Sequence, residues 1–416
     1  AASAGNATLA AKMRAISNTS TAVWMDRIAA VNGTDGGPGL AGYLDAALTQ
    51  MQQAGRPLSI SIVIYDLPGR DCNALASNGE LPATAAGLAA YKAQYIDPIA
   101  ATMSLPRYSN LRIVTIIEPD SLPNITTNSS VPTCATAAPF YEQGVAYALD
   151  KLHAIANVYT YVDAAHAGWL GWPNNTSGAV NEFLKVANLT AAGVNSIDGF
   201  ITDTANTTPL REPFFTGQTA VSGQQVMSGA FYEANPDADE ATYSNELWTQ
   251  LTQPGRFPST LGMLMDTSRN GWGCTVAANC PITSTDPPAG ALRPTAVSTS
   301  TDLTTFINES RVDRRPHRGA WCNQNGAGMG ERPTAAPAGF PHMDAFVWIK
   351  PPGESDGASQ PEPNDQGKDF DRMCDPTYNA PGLKGAVTNA LPNAPLAGQW
   401  FPAQFVQLVE NAFPPI

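Results

Sequence analysis

The stretch at residues 111–120 reads LRIVTIIEPD, a β-branched, apolar run that ends in a carboxylate. Two other stretches share this design: SISIVIYD at 59–66 ends in Asp66, and VYTYVDAAH at 158–166 turns polar at Asp163. Short apolar runs bounded by turn residues are typical of buried parallel strands. Parallel strands that close into a barrel collect functional residues at their carboxyl ends. The repetition predicts an enzyme that uses carboxylates, not a binding module with scattered surface acids.

Seven segments fit such a strand, and helical patterns separate most of them. The predicted strands are 21–26, 59–66, 111–120, 158–163, 196–203, 260–266 and 344–350. The predicted helices are 39–55, 83–103, 138–155, 178–192, 243–251 and 399–413. Strands and helices in alternation predict an α/β fold, here a distorted, incomplete β/α barrel. A barrel of seven parallel strands instead of eight leaves a cleft in place of a filled centre.

Bulk composition narrows the possible partners. The chain of 416 residues has no charge run or low-complexity linker, so we expect a single domain over residues 1–416. Its net charge of -13 and lack of a basic patch argue against nucleic acid as a partner. No apolar run reaches the roughly 20 residues that cross a bilayer, so we expect no membrane association. The chain starts at Ala1 without a basic and apolar leader, as a mature secreted protein would.

The chain has six cysteines, none in a C-x-x-C pair, and four histidines, so we expect no metal site. Six cysteines permit many pairings. Proximity in the sequence favours one short loop, and the other two pairs each bracket a strand end and its loops. The predicted bonds are Cys72–Cys134, Cys274–Cys280 and Cys322–Cys374. Disulfides in a chain this long favour an oxidising, extracellular location.

Two long segments, 204–239 and 270–320, lack periodicity, and each follows the end of a predicted strand. Loops of this length without secondary structure are usually functional covers or disordered. Both leave the face where the strand ends gather, so we expect lids or tunnel walls there. The alternative is surface decoration.

Glu118 and Asp120 stand on either side of Pro119. If the strand continues, we expect their side chains on opposite sides, one lodged in the barrel mouth and the other facing the cleft. A carboxyl group with apolar neighbours and nearby anions has a raised pKa and can act as an acid. The alternative is a solvated pair at a strand end.

Three further motifs carry polar and aromatic residues at predicted strand ends. YDLPGRDCNALASNGE at 65–80 places Arg70 and Asp71 beside Cys72, and Asp71 is either the partner of Arg70 in an ion pair or a catalytic acid. KPPGESDG at 350–357 supplies acids that are either part of a turn or the second carboxylate that glycoside hydrolysis requires. YVDAAHAGWLGW at 161–172 carries two tryptophans that either stack on sugar faces or pack against helices. WCN at 321–323 and VWMD at 23–26 add aromatic residues.

Together these motifs resemble glycoside hydrolase family 6, the cellulases that act on β-1,4-glucan. YDLPGRDC, ASNGE, IIEPDSLPN, YVDAAHAGWLGW, WCN and VWIKPPGESDG occur in the family's order and cover nearly the whole chain. The resemblance implies a distorted seven-stranded parallel β/α barrel with long loops over its C-terminal face. It also implies a reaction that inverts the anomeric carbon, without a cofactor or metal.

The resemblance assigns roles to five residues. Asp120 is the general acid, and Asp71 raises its pKa and helps to organise water. Asp356 matches the proposed general base, and a water chain through Ser77 to Asp71 is the alternative. Tyr65 presses on the distorted sugar. In inverting enzymes the two carboxyl groups stand ~6.5–9.5 Å apart, which leaves room for water.

The resemblance also implies a set of sugar-binding residues, with Asp163 supporting the site near Arg70. The set is Trp24, Asp26, Arg70, Asp163, His166, Trp169, Trp172, Asn206, Trp321, Lys350 and Glu354.

Loop lengths favour one activity within the family. The long segment after Asp266 and the stretch 356–374, anchored by Cys322–Cys374, predict covering loops. We therefore expect a monomeric cellobiohydrolase that releases cellobiose from non-reducing ends of cellulose and cello-oligosaccharides. One alternative is an open-cleft endoglucanase. The other is a non-catalytic carbohydrate-binding protein, against which the acids at Asp71, Asp120 and Asp356 argue, because binding needs no acid at the scissile bond.

Overall fold

The computed structural model describes residues 6–275 and 292–416, and a curled, mostly parallel sheet lies at its centre. The strands are β1 (Val23–Met25), β2 (Ser59–Ile64), β3 (Arg112–Ile117), β4 (Val158–Asp163), β5 (Gly199–Thr202), β6 (Ala220–Val221), β7 (Gln224–Gln225), β8 (Gly262–Asp266), β9 (Thr334–Ala335) and β10 (Met343–Val347). The sheet order is β1-β2-β3-β4-β5-β8-β10-β9, in which only the pairing of β9 with β10 is antiparallel. The strands β6 and β7 form a separate hairpin.

The seven predicted strands all lie in parallel in this sheet, which confirms the predicted α/β architecture. The N–H of Ala22 donates to the carbonyl of Trp348 at 2.9 Å, so the start of β1 meets the end of β10. Inward-facing residues from successive strands fill the centre, among them Val63, Ile116 and Ile201. The expectation of a cleft in place of a filled centre was therefore wrong, because these apolar side chains pack between the strands. The side chains at the carboxyl ends of the strands are thereby brought around one opening.

Helices cover the outside of the sheet. They are α1 (Ala7–Ile16), α2 (Ile28–Asn32), α3 (Gly39–Ala54), α4 (Ala85–Ala90), α5 (Asp97–Met103), α6 (Ser121–Thr127), α7 (Pro132–His153), α8 (Ala167–Leu170), α9 (Pro173–Ala187), α10 (Glu240–Leu251), α11 (Leu303–Ser310) and α12 (Pro402–Glu410). A π-helical segment, Tyr91–Ile96, joins α4 to α5. The predicted start of the third helix at 138 was wrong, because α7 begins at Pro132 and runs through Pro139.

The two aperiodic segments are not structureless covers. Within the described residues, segment 204–239 packs on segment 292–320 around a small apolar core that includes Phe215, Tyr232 and Phe306. Residues 276–291 of the predicted insertion lie outside the described residues. The two segments therefore support one another, and only their ends at Thr204–Asn206 and Gly319 reach the cavity that is described below.

A buried ionic network ties the same two segments together. Arg315 Nη2 lies 2.6 Å from Asp313 Oδ2, and both side chains are almost fully buried. Glu212 accepts the N–H groups of Val312 and Asp313 at 2.6 and 3.0 Å. Burial raises the pKa of Glu212 to about 8.

Two predicted disulfides are confirmed. Cys72 is bonded to Cys134 and Cys322 to Cys374. Cys280 lies outside the described residues, so the Cys274–Cys280 bond stays a prediction. In the part of the chain that the structure describes, every helix is too short or too polar to cross a membrane.

Candidate active site

A cavity of about 870 Å³ opens at the carboxyl ends of the parallel strands. The predicted site residues that line it are Trp24, Asp26, Tyr65, Arg70, Ser77, Asp120, His166, Trp169, Asn206, Trp321, Lys350, Glu354 and Asp356. Asp71 and Asp163 are buried and contact the lining residues Tyr65 and Asp120. Trp172 is not brought to this cavity, and its indole N–H donates to the carbonyl of Glu233 at 2.8 Å.

Asp120 is a half-buried carboxyl group among other acids. Burial first, and then the charges of Asp163, Asp71 and Asp356, raise the pKa of Asp120 well above its ordinary value. Its N–H donates to Asp163 Oδ2 at 3.0 Å. Asp163 thus holds the backbone of Asp120, and its expected position near Arg70 stays a prediction. Asp120 therefore keeps a proton at a pH at which an ordinary aspartate is ionised, as a general acid requires.

The backbone separates Asp120 from its neighbour Glu118. The expectation that a continued strand would place them on opposite sides was wrong, because residues two apart on one strand share a face. Strand β3 ends at Ile117, and Glu118 and Asp120 take left-handed φ values of 47° and 64°. Glu118 is buried and accepts the hydroxyl of Tyr91 at 2.8 Å and the N–H of Asp66 at 3.1 Å. It thus ties β2 to the π-helical segment and has no part in the cavity.

Asp71 is the second buried acid of the site. Its Oδ2 accepts the Tyr65 hydroxyl at 2.5 Å, and the Ser77 hydroxyl bonds the same carboxyl group. Burial raises the pKa of Asp71, while the Arg70 charge and these two hydrogen bonds oppose that rise. Because Ser77 lines the cavity and contacts Asp71, it connects the cavity to a buried carboxyl group.

Arg70 fastens the loop that carries Asp71 and Ser77. Its Nε donates to the Ser77 carbonyl at 2.8 Å, and Nη2 donates to the Asn78 carbonyl at 3.0 Å. Nη1 donates to the carbonyls of Asp26 at 2.6 Å and of Tyr65. The Cys72–Cys134 bond holds the same loop against α7. The loop is thus fixed to the ends of β1 and β2.

Asp356 is held in a buried ion pair with Arg269. The Nη1 of Arg269 lies 2.8 and 2.9 Å from the two carboxylate oxygens of Asp356. The N–H of Asn323 donates to Oδ2 at 2.7 Å, and Arg269 Nη2 also reaches the carbonyl of Ala205. Both oxygens of Asp356 thus accept hydrogen bonds, and the carboxylate is held in place by Arg269 and Asn323.

Aromatic side chains line the cavity with their polar edges already bonded. The indole N–H of Trp24 donates to the Ile349 carbonyl at 2.9 Å, and that of Trp169 donates to Thr127 Oγ1 at 2.8 Å. The Trp24 ring meets Tyr65 edge to face, with the centroids 5.2 Å apart. What these indoles offer to a ligand is therefore their apolar rings, which suit the apolar faces of sugars.

His166 is a neutral member of the lining. Burial first, and then the charges of Arg315 and Arg318, lower the pKa of His166 well below its ordinary value. Its Nδ1 lies 3.2 Å from the hydroxyl of Thr208. A neutral imidazole can give or accept one hydrogen bond with a sugar hydroxyl.

One wall comes from residues that no motif identified. Lys368 and residues 370–373, 378 and 380–383 line the cavity, and the Cys322–Cys374 bond anchors this wall. Lys368 Nζ donates to the Ala397 carbonyl at 2.8 Å and lies 3.4 Å from Asp26 Oδ2. The length of the stretch 356–374 was the only signal, and it does not select individual residues. Across residues 6–275 and 292–416, no group of three or more His, Cys, Asp or Glu side chains is arranged to hold a metal ion.

Comparison with known proteins agrees with this geometry. Exoglucanase A of Cellulomonas fimi is 56% identical over 411 residues, which are 98% of this chain and 45% of the relative, so the chain spans less than half of that protein. Exoglucanase 3 of Agaricus bisporus is 35% identical over 414 residues, which are 100% of this chain and 74% of that relative.

Solved structures give the same result. The catalytic domain of Cellulomonas fimi Cel6B matches with a TM-score of 0.93 and 56% identity over 99% of this chain and 90% of that one. Cellobiohydrolase II (Cel6A) from Humicola insolens, in complex with glucose and cellotetraose, matches with a TM-score of 0.72 and 32% identity over 99% and 92%. The family model described as "Glycosyl hydrolases family 6" matches residues 1–412, and this chain therefore belongs to glycosyl hydrolase family 6.

Proposed function

We propose that residues 1–416 form one catalytic domain that hydrolyses β-1,4-glucosidic bonds of cellulose with inversion at the anomeric carbon. The observation that carries this proposal is the carboxyl group of Asp120, which lines a cavity between indole rings and has a pKa raised by burial and neighbouring acids. Relatives named exoglucanase and cellobiohydrolase support the substrate class, as does the cellotetraose complex of the Humicola insolens enzyme.

In the proposed reaction, Asp120 donates its proton to the glycosidic oxygen as the bond from that oxygen to the anomeric carbon breaks. The positive charge that develops on the sugar ring is stabilised by the surrounding carboxylates. The same carboxylates keep the proton on Asp120 beforehand, since an ionised Asp120 would repel them. Tyr65 lies next to both Trp24 and Asp71, at the position where the distorted sugar would sit.

In the same displacement, water attacks the anomeric carbon from the opposite face and gives up a proton. We assign that proton to Asp71, reached through the hydroxyl of Ser77. Asp71 has a pKa raised by burial and Ser77 faces the cavity, whereas both oxygens of Asp356 are bonded to Arg269 and Asn323. Asp356 then acts by holding the wall of the cavity and by adding negative charge near Asp120.

The covering wall supports action at chain ends. Residues 368–383 close one side of the cavity and are anchored by the Cys322–Cys374 bond. A glucan chain threaded under such a wall leaves in units of cellobiose, because alternate glucose units face opposite ways, and we propose that these units come from its non-reducing end. The disulfides support secretion into an oxidising environment, and we propose that the enzyme is a monomer.

The test uses cellohexaose with two matched variants. Asp120→Asn removes the acid but keeps the shape, and Asp45→Asn changes an exposed aspartate on α3. We expect the parent and Asp45→Asn to release cellobiose first as the α-anomer. We expect Asp120→Asn to lose about 10²–10⁴-fold in turnover while its affinity for cellohexaose, from calorimetry, stays within threefold.

Four outcomes would contradict the proposal in different ways. Full turnover by Asp120→Asn would show that Asp120 is not the general acid. A β-anomeric product would show that the reaction does not invert the anomeric carbon. Viscosity of soluble cellulose that falls much faster than reducing sugar appears indicates an endoglucanase. Binding of cellohexaose without hydrolysis by the parent indicates a carbohydrate-binding protein.

A further inference from the structure

Trp400 is an exposed indole that takes no part in the cavity described above. Its side chain is 55% exposed, more than any other large apolar side chain of the described residues. Single exposed apolar side chains are common on protein surfaces, so the exposure of Trp400 alone does not indicate a binding surface. What holds the ring, and what it adjoins, do.

The backbone fixes Trp400 at the rim of the cavity. Ser355 N–H donates to the Gln399 carbonyl at 2.9 Å, and Gly398 N–H donates to the Ser355 carbonyl at 2.9 Å. Trp400 itself pairs with Glu354 in an antiparallel bridge. Glu354 and Gly398 both line the cavity. Directly opposed residues in such a bridge have Cα atoms about 5 Å apart and side chains on the same face. Trp400 therefore adjoins the end of the cavity that Glu354 lines.

Gly353 and Phe405 hold the ring in place. It lies on Gly353, where an added Cβ would come 2.4 Å from Cζ3 of the indole, so only glycine leaves room for it. Gly353 also has a left-handed φ of 95°, which disfavours other residues. The ring of Phe405 packs against the indole with centroids 4.9 Å apart. The rest of the indole faces solvent and is available to a ligand.

Polar groups surround this end of the cavity. Lys350 Nζ lies 5.4 Å from the centroid of the Trp24 ring, and Lys368 contacts Asp26 and the carbonyl of Ala397. Burial raises the pKa of Glu354. An apolar indole bordered by acids and lysines is chemically continuous with the lining of the cavity, and the ligand that fits both is the same polysaccharide.

We propose that Trp400 forms a further glucan-binding position outside the cavity, next to the end lined by Trp24, Lys350 and Glu354. A β-1,4-linked glucose unit beyond those inside the cavity stacks on the open part of the indole. This inference rests on the proposed function, because it takes the ligand of the cavity to be a glucan. The position adds affinity for longer chains and leaves short ligands inside the cavity unaffected.

Binding is measured by calorimetry in an Asp120→Asn background, with each cello-oligosaccharide from cellobiose to cellohexaose. We compare Trp400→Ala, Trp400→Phe, which keeps an aromatic ring, and Tyr159→Ala, an exposed aromatic residue on β4 that does not line the cavity. We expect Trp400→Ala to weaken binding of the longest oligosaccharides about tenfold and to leave cellobiose unchanged. We expect Trp400→Phe to restore most of the loss and Tyr159→Ala to bind as the background protein does.

Equal affinities of Trp400→Ala and its background at every chain length would overturn the inference and leave the proposed function intact. A background protein that binds no cello-oligosaccharide would overturn the proposed function, and this inference with it. Light scattering is run on the same samples. A dimer of the background protein that Trp400→Ala converts to a monomer would assign the indole to a second copy of the chain and also overturn the inference.

Discussion

Replacing Asp356 and Arg269 singly and together separates a catalytic role of Asp356 from a structural one. Both side chains are buried, with 7% of Asp356 and 1% of Arg269 exposed. Asp356→Asn leaves the buried guanidinium of Arg269 without a negative partner. Arg269→Met leaves the buried carboxylate of Asp356 without a positive partner. Each should lower the free energy of unfolding by about 3–5 kcal/mol. The double variant loses mainly hydrogen bonds, including that from Arg269 to Ala205, and should lose about 1–3 kcal/mol.

The assays are urea unfolding and initial rates of cellohexaose cleavage on the same preparations. Arg269→Lys, which keeps the charge but not the fork of donors, is the control for simple loss of arginine. If Asp71 accepts the proton, the double variant should recover to within about tenfold of the parent rate as its stability returns. A double variant that regains stability but stays as inactive as Asp356→Asn would refute this reasoning and make Asp356 the base.

Three other predictions address pH and the covering wall. Asp163→Asn removes a negative neighbour of Asp120, so the pKa of Asp120 should fall and the alkaline limb of kcat/KM should move to lower pH; an unmoved limb contradicts this. Replacing Cys322 and Cys374 with Ala should lower the free energy of unfolding by about 4 kcal/mol and raise viscosity loss per reducing end. Glu212 has a pKa of about 8 when folded and about 4.3 when unfolded, so its stabilising contribution is complete at low pH and disappears towards pH 8. Glu212→Gln should flatten that part of the curve of melting temperature against pH, and an unchanged slope would assign it to other groups.

Strand positions were predictable because a buried parallel strand is a local pattern. The stretch 59–66 became β2 and 158–163 became β4, since an apolar run followed by a turn can be read without knowing its partners. The same reasoning located Asp120 at a strand end. It did not reveal how the side chains of Asp120 and Glu118 diverge. That divergence depends on the left-handed backbone of both residues, which the pattern of apolar residues does not predict.

Partners distant in the sequence were not predictable. Arg269 and Asp356 are separated by 87 positions, and nothing in the sequence around either residue indicates that they form an ion pair. The stretch RVDRRPHR at 311–318 has the composition of a solvated loop, yet Arg315 is fully buried and donates to the side chains of Asn206 and Thr208 as well as to its neighbour Asp313. A charged residue is buried in this way only when another segment supplies polar partners for it, and the fold decides which segment that is. Trp172 lies outside the cavity because a tryptophan in a glycine-rich loop packs wherever the fold provides a partner, here the carbonyl of Glu233, and its role in sugar binding stays a prediction.

Four buried or half-buried acids near the carboxyl ends of the strands, two of them in the site, share a backbone feature. Asp71, Glu118, Asp120 and Asp203 all have φ between 47° and 64°. A left-handed residue just after a strand reverses the chain sharply, and each such residue costs of order 1–3 kcal/mol unless its surroundings impose it. Three kinds of contact hold these backbones in place. They are the hydrogen bonds from Arg70 to backbone carbonyls, the Cys72–Cys134 bond, and the hydrogen bonds from backbone N–H groups to Asp163. Repulsion between the acids opposes the same arrangement, and a protonated Asp120 relieves it. The fold thus stabilises Asp120 in its acidic form by the same contacts that bring the carboxylates together.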